Sequence, residues 1–148
     1  MKFFFTTAIG SLDSDNQHSS RSIKYKIKQL IDDEDPKKIL SDSNRLRQII
    51  INLTSNAIKY TPEGGTIQVA FKSSGPGSVQ LIVTDTGIGI PTQEQEKLFH
   101  EFFRASNAKK ITSEGTGLGL VLVKQTVERH GGSLDLLSEE GRGTTVTI

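Results

Sequence analysis

Apolar and polar positions change period along this chain, and the changes mark out its elements. From Gly10 to Ser22 the sequence is rich in Ser, Asp, Asn and Gln without apolar periodicity, the pattern of a flexible linker. Residues 1–22 are therefore expected to precede a single folded unit over 23–148. Ile23, Tyr25 and Ile27 alternate with polar residues, a period of two that predicts a strand with one buried face. Ile39 and Leu40 form a second short apolar piece after the polar DDEDPKK turn. Ser41-Asp42 then precedes Leu46, Ile49, Ile50, Leu53 and Ala57, whose spacings of three and four predict an amphipathic helix ended by Pro62 and Gly64-Gly65.

The period returns to two at Ile67, Val69 and Phe71 and again at Val79, Leu81 and Val83, with a Gly-Pro-Gly turn between, which predicts a β-hairpin running into Asp85. After Pro91, Leu98, Phe99, Phe102 and Phe103 predict a short helix whose phenylalanines serve as core and hinge. The segment from Ala105 to Glu114 has little to bury and is predicted to be mobile. Gly115 to Gly119 opens an apolar helix with Leu120, Val121, Val123 and Val127, closed by Gly131-Gly132. Residues 134–137 and 146–148 read as strands, and no internal repeat is visible. This order predicts the α/β class: a two-layer α/β sandwich with a mixed, mostly antiparallel sheet on about three helices.

With 148 residues, 34% of them hydrophobic, the chain is the size of one domain that buries a core without disulfides or a structural metal. The formal net charge is +1 and its charges are mixed, leaving no basic stripe for a phosphate backbone, so nucleic acid is not expected as a partner. The absence of cysteine excludes thiol nucleophiles and cysteine metal sites and fits a reducing compartment. The opening MKFFFTTAIG is too short an apolar run for a signal peptide and lacks a cleavage pattern. No stretch approaches the ~20 apolar residues that cross a bilayer, so no membrane contact by this unit is expected.

Three polar clusters carry candidate chemistry. Asn52, Asn56, Lys59 and Tyr60 share one side of the long helix. Amide oxygens there are able to complete a Mg²⁺ shell beside phosphate oxygens, with the lysine one turn on meeting a phosphate; a plain solvated helix face has the same pattern. Asp85-Thr86-Gly87-Ile88-Gly89-Ile90 ends a strand. Its carboxylate suits an exocyclic amine such as adenine N6, its glycines let the backbone approach a flat ring, and Ile88 and Ile90 supply an apolar wall. A calcium loop is disfavoured, because the regular run of oxygen ligands and a terminal Glu are missing. Gly115-Thr116-Gly117-Leu118-Gly119-Leu120 opens a helix and offers backbone N–H groups to an anion. No Gly-Lys-Ser/Thr follows it, as a P-loop requires, and no βαβ unit surrounds it, as a dinucleotide fold requires.

Taken in order, these clusters make the chain from about Asp42 to Ile148 resemble the GHKL superfamily of ATP-binding domains (the Bergerat fold), and within it the catalytic domain of sensor histidine kinases. Asn52 to Thr61 is similar to that family's N box, Asp85 to Ile90 to its first glycine box, Phe99 to Arg104 to its F box, and Gly115 to Leu120 to its second glycine box. The resemblance implies ATP and Mg²⁺ as cofactors. It implies Asn56 as the metal ligand supported by Asn52, Lys59 and Tyr60 on the phosphates or ribose, Asp85 on adenine N6, and Arg104 near the γ-phosphate. Residues from about Ala105 to Thr116 become an ATP lid, and Thr144 resembles a hydroxyl that assists Asp85.

Hydrolysing relatives carry a glutamate base where Asn52 stands, and an amide takes no proton from water at neutral pH, which favours transfer to an outside nucleophile. The implied partners are a helical dimerisation and phosphoacceptor domain and, indirectly, a response regulator. The implied location is cytoplasmic, with a parent protein anchored in the inner membrane as one option, and the unit alone is expected to be monomeric. A non-catalytic ATP-sensing module, a serine kinase of anti-sigma-factor type and an ATPase are the rival readings. None of the three histidines fits a phosphoacceptor: His18 lacks the His-Glu/Asp and downstream Pro pattern, His100 reads as packing or surface, and His130 as a helix end. Lys109 and Lys110 read either as phosphate contacts of a closed lid or as a solvated loop face.

Overall fold

The computed structural model describes residues 24–30, for which the backbone alone is considered, together with 43–75 and 78–148. The expected linker over 1–22, the Ile39-Leu40 piece and the Pro-Gly of the hairpin turn lie outside these residues. Five strands, β1 (Lys24–Leu30), β2 (Thr66–Gly75), β3 (Ser78–Asp85), β4 (Asp135–Glu139) and β5 (Gly143–Thr147), form one sheet in the order β1-β2-β3-β5-β4. β1 runs parallel to β2, and the remaining pairs are antiparallel. The parallel pair is possible because α1 (Ser43–Tyr60) crosses between them.

The alternation read from the sequence selects the buried face. Ile67, Val69 and Phe71 of β2, Leu81 and Val83 of β3 and Val146 of β5 are buried against α1 and α3 (Gly119–Arg129). Their partners are Ile49, Ile50, Leu53 and Ala57 from α1 and Val123 and Val127 from α3, the positions that the three-and-four spacing marks. α1 ends as its sequence requires. Thr61 bonds back to the Ala57 carbonyl through both its N–H (3.0 Å) and its hydroxyl (2.6 Å), and Pro62 follows.

Two expectations need correction. The aromatic stretch after Pro91 is not one helix but two 3-10 turns, Thr92–Glu94 and Glu96–Phe99, and its phenylalanines do not share a fate. Phe103 packs in a second, smaller apolar cluster, whereas Phe102 is 72% exposed at φ 64°, a conformation that bulky side chains seldom adopt. The segment from Ala105, expected to have little to bury, instead contains α2 (Ser106–Ile111). Ala105 and Ala108 bury themselves beside Leu98, with Ile88, Ile90 and Phe103 packed against them. Two alanines among polar residues give little periodic signal. What holds them is a tertiary surface made by the two isoleucines of the glycine turn.

Candidate functional site

The polar face of α1, the end of β3, α2 and the start of α3 enclose one cavity of about 280 Å³. Of the site residues read from the sequence, Asn52, Asn56, Lys59, Tyr60, Asp85, Ile88, Gly89, Ile90, Arg104, Gly115, Thr116, Gly117, Gly119, Leu120 and Thr144 line it. Gly87 and Leu118 do not. Gly87 acts from behind, its N–H donating to Asp85 Oδ1 at 2.8 Å, and Leu118 holds the next turn, its N–H on Thr116 Oγ1 at 3.3 Å and its carbonyl accepting from Leu122 N–H. Val83, Leu98, Ala108, Leu136 and Val146 complete the apolar wall. The motifs in the sequence do not contain these five, because a packed wall drawn from five elements has no local pattern.

Asp85 stands where β3 leaves the sheet. Burial pushes its carboxyl pKa above the ordinary carboxylate value, opposed by hydrogen bonds from the backbone N–H groups of Gly87 and Thr144. The Thr144 hydroxyl, expected to assist Asp85, is paired instead with Ser138 Oγ at 2.8 Å, and it is the backbone of Thr144 that meets the carboxylate. The glycines of this turn answer to close packing. A Cβ on Gly87 would collide with the Tyr60 carbonyl, and one on Gly89 (φ 60°) with the Glu139 carbonyl. Ile88 N–H also donates to Tyr60 O at 3.1 Å, which ties the turn to the end of α1.

At the other end lie the groups suited to phosphate and metal. Asn52 and Asn56 are one turn apart, and both approach Gly119, a Cβ on which would lie 3.9 Å from Asn52 Oδ1 and from Asn56 Nδ2. Among the described residues there is no cluster of three His, Cys, Asp or Glu to hold a metal. Neutral amides without carboxylates suit Mg²⁺ that arrives with phosphate oxygens and retained waters, and do not suit a free ion. Lys59 and Arg104 point towards the Gly115 turn but spend their donors on the segment that follows α2. Lys59 Nζ donates to Glu114 O (2.6 Å), and Arg104 donates to Thr112 O (2.7 Å) and Ser113 O (2.9 Å). The Arg104 Nε–H is buried with no hydrogen-bond partner, and a Cβ on Gly115 would sit 3.4 Å from it.

Of the residues with open readings, Lys109 and Lys110 are exposed and do not line the cavity, and Lys109 lies 5.9 Å from the Phe103 ring centre. His100 is exposed. His130 caps α3, with Nδ1 2.7 Å from Thr126 O. The start of α2 is held by Glu94, whose carboxylate accepts the Ser106 N–H at 2.7 Å and is thereby kept below the usual glutamate pKa. No helix among the described residues is long and apolar enough to cross a membrane.

A sheet covered on one face by helices, with an acid at a strand end, amides on a helix and a glycine turn around one cavity, defines a nucleotide-binding domain, and comparison with known proteins agrees. Residues 41–148 match the family described as histidine kinase-, DNA gyrase B- and HSP90-like ATPase, and the chain belongs to that family. It is 41% identical over 111 residues to the sensor-like histidine kinase SenX3 of Mycolicibacterium smegmatis, covering 75% of this chain and 29% of that protein. It is 45% identical over 108 residues to the circadian input-output histidine kinase CikA of Synechococcus elongatus, covering 73% of this chain and 14% of that protein. The chain thus spans less than a third of the length of these relatives. Among solved structures it resembles the mycobacterial sensor histidine kinase MprB at 32% identity and a TM-score of 0.72, covering 97% of this chain and 91% of that one. Full-length ShkA in complex with AMPPNP matches at 25% identity and a TM-score of 0.73, covering 97% and 28%. A further match, to the Sigma-54 DNA binding domain, spans residues 1–59, less than half of the chain; it falls mostly outside the described residues and ends within α1.

Proposed function

We propose that this chain binds Mg-ATP in the cavity and transfers its γ-phosphoryl group to a histidine on a separate helical dimerisation and phosphoacceptor domain, from which it passes to a response regulator. The observation that carries this reading is the polarity of this cavity: an apolar slot with Asp85 at one end, and Asn52, Asn56, Lys59, Arg104 and the Gly115–Gly119 turn at the other. Ile88, Ile90 and Leu98 would flank the base, and Asp85 would accept a hydrogen bond from its exocyclic amine. Gly87 and the Thr144 backbone keep that carboxylate aimed by their N–H groups. Asn56 would hold Mg²⁺ by its amide oxygen, supported by Asn52, and the metal would supply neutralisation of phosphate charge. Lys59 and Arg104 exchange the carbonyls of residues 112–114 for phosphate oxygens, which are the stronger acceptors. The N–H groups before α3 receive charge that develops on the transferred group, so that positioning and electrostatics supply the catalysis.

No carboxylate stands at position 52 to take a proton from water, which favours an outside nucleophile over hydrolysis. The relatives named as sensor histidine kinases support this assignment. The test is incubation with Mg-ATP and isolated phosphoacceptor domains of such kinases. Acid-labile label on an acceptor histidine is expected. Acid-stable label would point to a serine kinase, tight ATP binding with no transfer to several acceptors to a sensing module, and steady turnover abolished by Asn56→Ala to an ATPase.

A further inference from the structure

Gln95 stands at the joint between the two 3-10 turns, and its side chain makes no capping bond to the second. Instead its amide reaches across to two other segments. Nε2 donates to Ile90 O at 3.0 Å and to Ser138 O at 2.9 Å, so one N–H is committed to the end of the Asp85 turn and the other to β4. A backbone carbonyl accepts only from the NH₂ side of an amide, and two such partners fix which way this one is turned. The Gln95 carbonyl in turn accepts the Leu98 N–H at 3.2 Å. Ile90 and Leu98 line the cavity, whereas Gln95 does not. Ser138 carries the tie further. It is paired in register with Thr144, and its Oγ donates to Gly143 O at 2.9 Å and lies 2.8 Å from Thr144 Oγ1. The backbone N–H of Thr144 then meets the Asp85 carboxylate. One amide thus fastens the apolar wall at Ile90 to the strand pair that aims the acid. A backbone bond, Gly141 N–H to Ile88 O at 2.8 Å, joins the same turn to the same strand pair but is open to any sequence, while the tie through Gln95 depends on its side chain.

We propose that Gln95 is a positioning residue for base recognition: it touches no nucleotide, and it holds the wall at Ile90 in register with the Asp85 carboxylate, so that a base resting on the wall presents its exocyclic amine to the acid. This rests on the reading of the cavity as an ATP site. A hydrogen bond weakens steeply with misalignment, whereas apolar contact with a wall is not directional. Loosening the amide therefore removes the preference for an amine before it removes binding. The groups at the phosphate end, Asn52, Asn56, Lys59, Arg104 and the turn before α3, stand on other elements, and the bonds of Gln95 go to Ile90, Ser138 and Leu98 instead. The phosphate end is thus expected to be indifferent to its loss.

The test is titration of the whole chain with Mg-ATP, Mg-ADP and the triphosphate of purine riboside, which carries hydrogen in place of the 6-amino group. Gln95→Met keeps the length of the side chain without a donor. It is expected to weaken ATP binding roughly tenfold, to shrink the preference for ATP over the 6-hydrogen analogue by most of that factor, and to leave the ratio of ATP to ADP affinity within about twofold of wild type. Gln95→Glu, the same shape with a carboxylate facing two carbonyl oxygens, is expected to lose the preference at least as far. Equal losses on all three nucleotides would make Gln95 a stabiliser of the fold only and overturn the proposal. Unchanged ATP affinity in Gln95→Met, a wild-type preference kept by Gln95→Glu, or a changed ATP-to-ADP ratio in Gln95→Met would overturn it too. In each of these cases wild-type binding of ATP stands. A wild-type chain that binds ATP and the analogue equally removes Asp85 as the amine acceptor, and one that binds no nucleotide removes the ATP reading; either result takes this inference with it.

Discussion

Asp85 is held between burial and charge, and the conflict has measurable consequences. Its folded-state pKa is raised by desolvation, so the folded protein takes up the proton before the unfolded chain does. The stabilising contribution of protonation is full below the unfolded pKa and is lost as pH rises through the folded one, so at neutral pH the buried carboxylate is a cost. Asp85→Asn is therefore expected to melt no lower than wild type at pH 7, with an advantage that shrinks on acidification, while losing ATP affinity at least tenfold. A thermal melt series over pH checks the first part, and a melt well below wild type at pH 7 would contradict it. Wild-type ATP affinity should decline on acidification from above the range where an ordinary aspartate titrates. The amides make a second prediction at this scale. Since Asn52 and Asn56 supply no charge, the nucleotide-free chain should show no Mg²⁺ binding in the millimolar range, and Asn56→Ala should make ATP binding insensitive to Mg²⁺. Tight binding of free Mg²⁺ would show that the ligand set lies elsewhere.

At the scale of elements, two apolar clusters divide the labour. The main one joins α1 and α3 to the sheet, and Ile67 at its centre is 2% exposed. Ile67→Ala is expected to cost about 2–5 kcal/mol in global stability by equilibrium unfolding. The smaller cluster docks α2, through Ala105 and Ala108 on Leu98. Ala108→Glu should thus release α2 without unfolding the sheet. The expected result is faster proteolysis between residues 105 and 118 with a nearly unchanged unfolding midpoint, and a collapse of global stability would show the clusters to be one. The segment after α2 is also pinned from the other side, since the carbonyls of 112–114 accept from Lys59 and Arg104.

For the molecule as a whole, legibility follows the range of the interactions. The core strands and both long helices were readable, because burial of one face writes a period of two or three-and-four into residues such as Ile67, Val69 and Phe71 or Leu53 and Ala57. The polar cluster on α1 and both glycine turns were readable because each is local. Three things were not. The docking of α2 depends on a surface assembled by Ile88, Ile90 and Leu98, the backbone of Phe102, at positive φ, packs closely on Gly117, and the bonds of Gln95 to Ser138 O and of Asn107 to Gly89 O join residues 43 and 18 positions apart. An isolated Gln or Asn in a polar stretch carries no signal of such a bond.

One cavity is proposed to hold Mg-ATP with its base at Asp85 and its phosphates at Asn56, Lys59 and Arg104. Titration calorimetry of Mg-ATP into the wild-type chain and into Asp85→Asn and Asn56→Ala tests it most directly. Saturable wild-type binding that Asp85→Asn abolishes and that Asn56→Ala frees from dependence on Mg²⁺ is predicted. Absence of wild-type binding at millimolar nucleotide, or equal binding by all three proteins, would rule this site out.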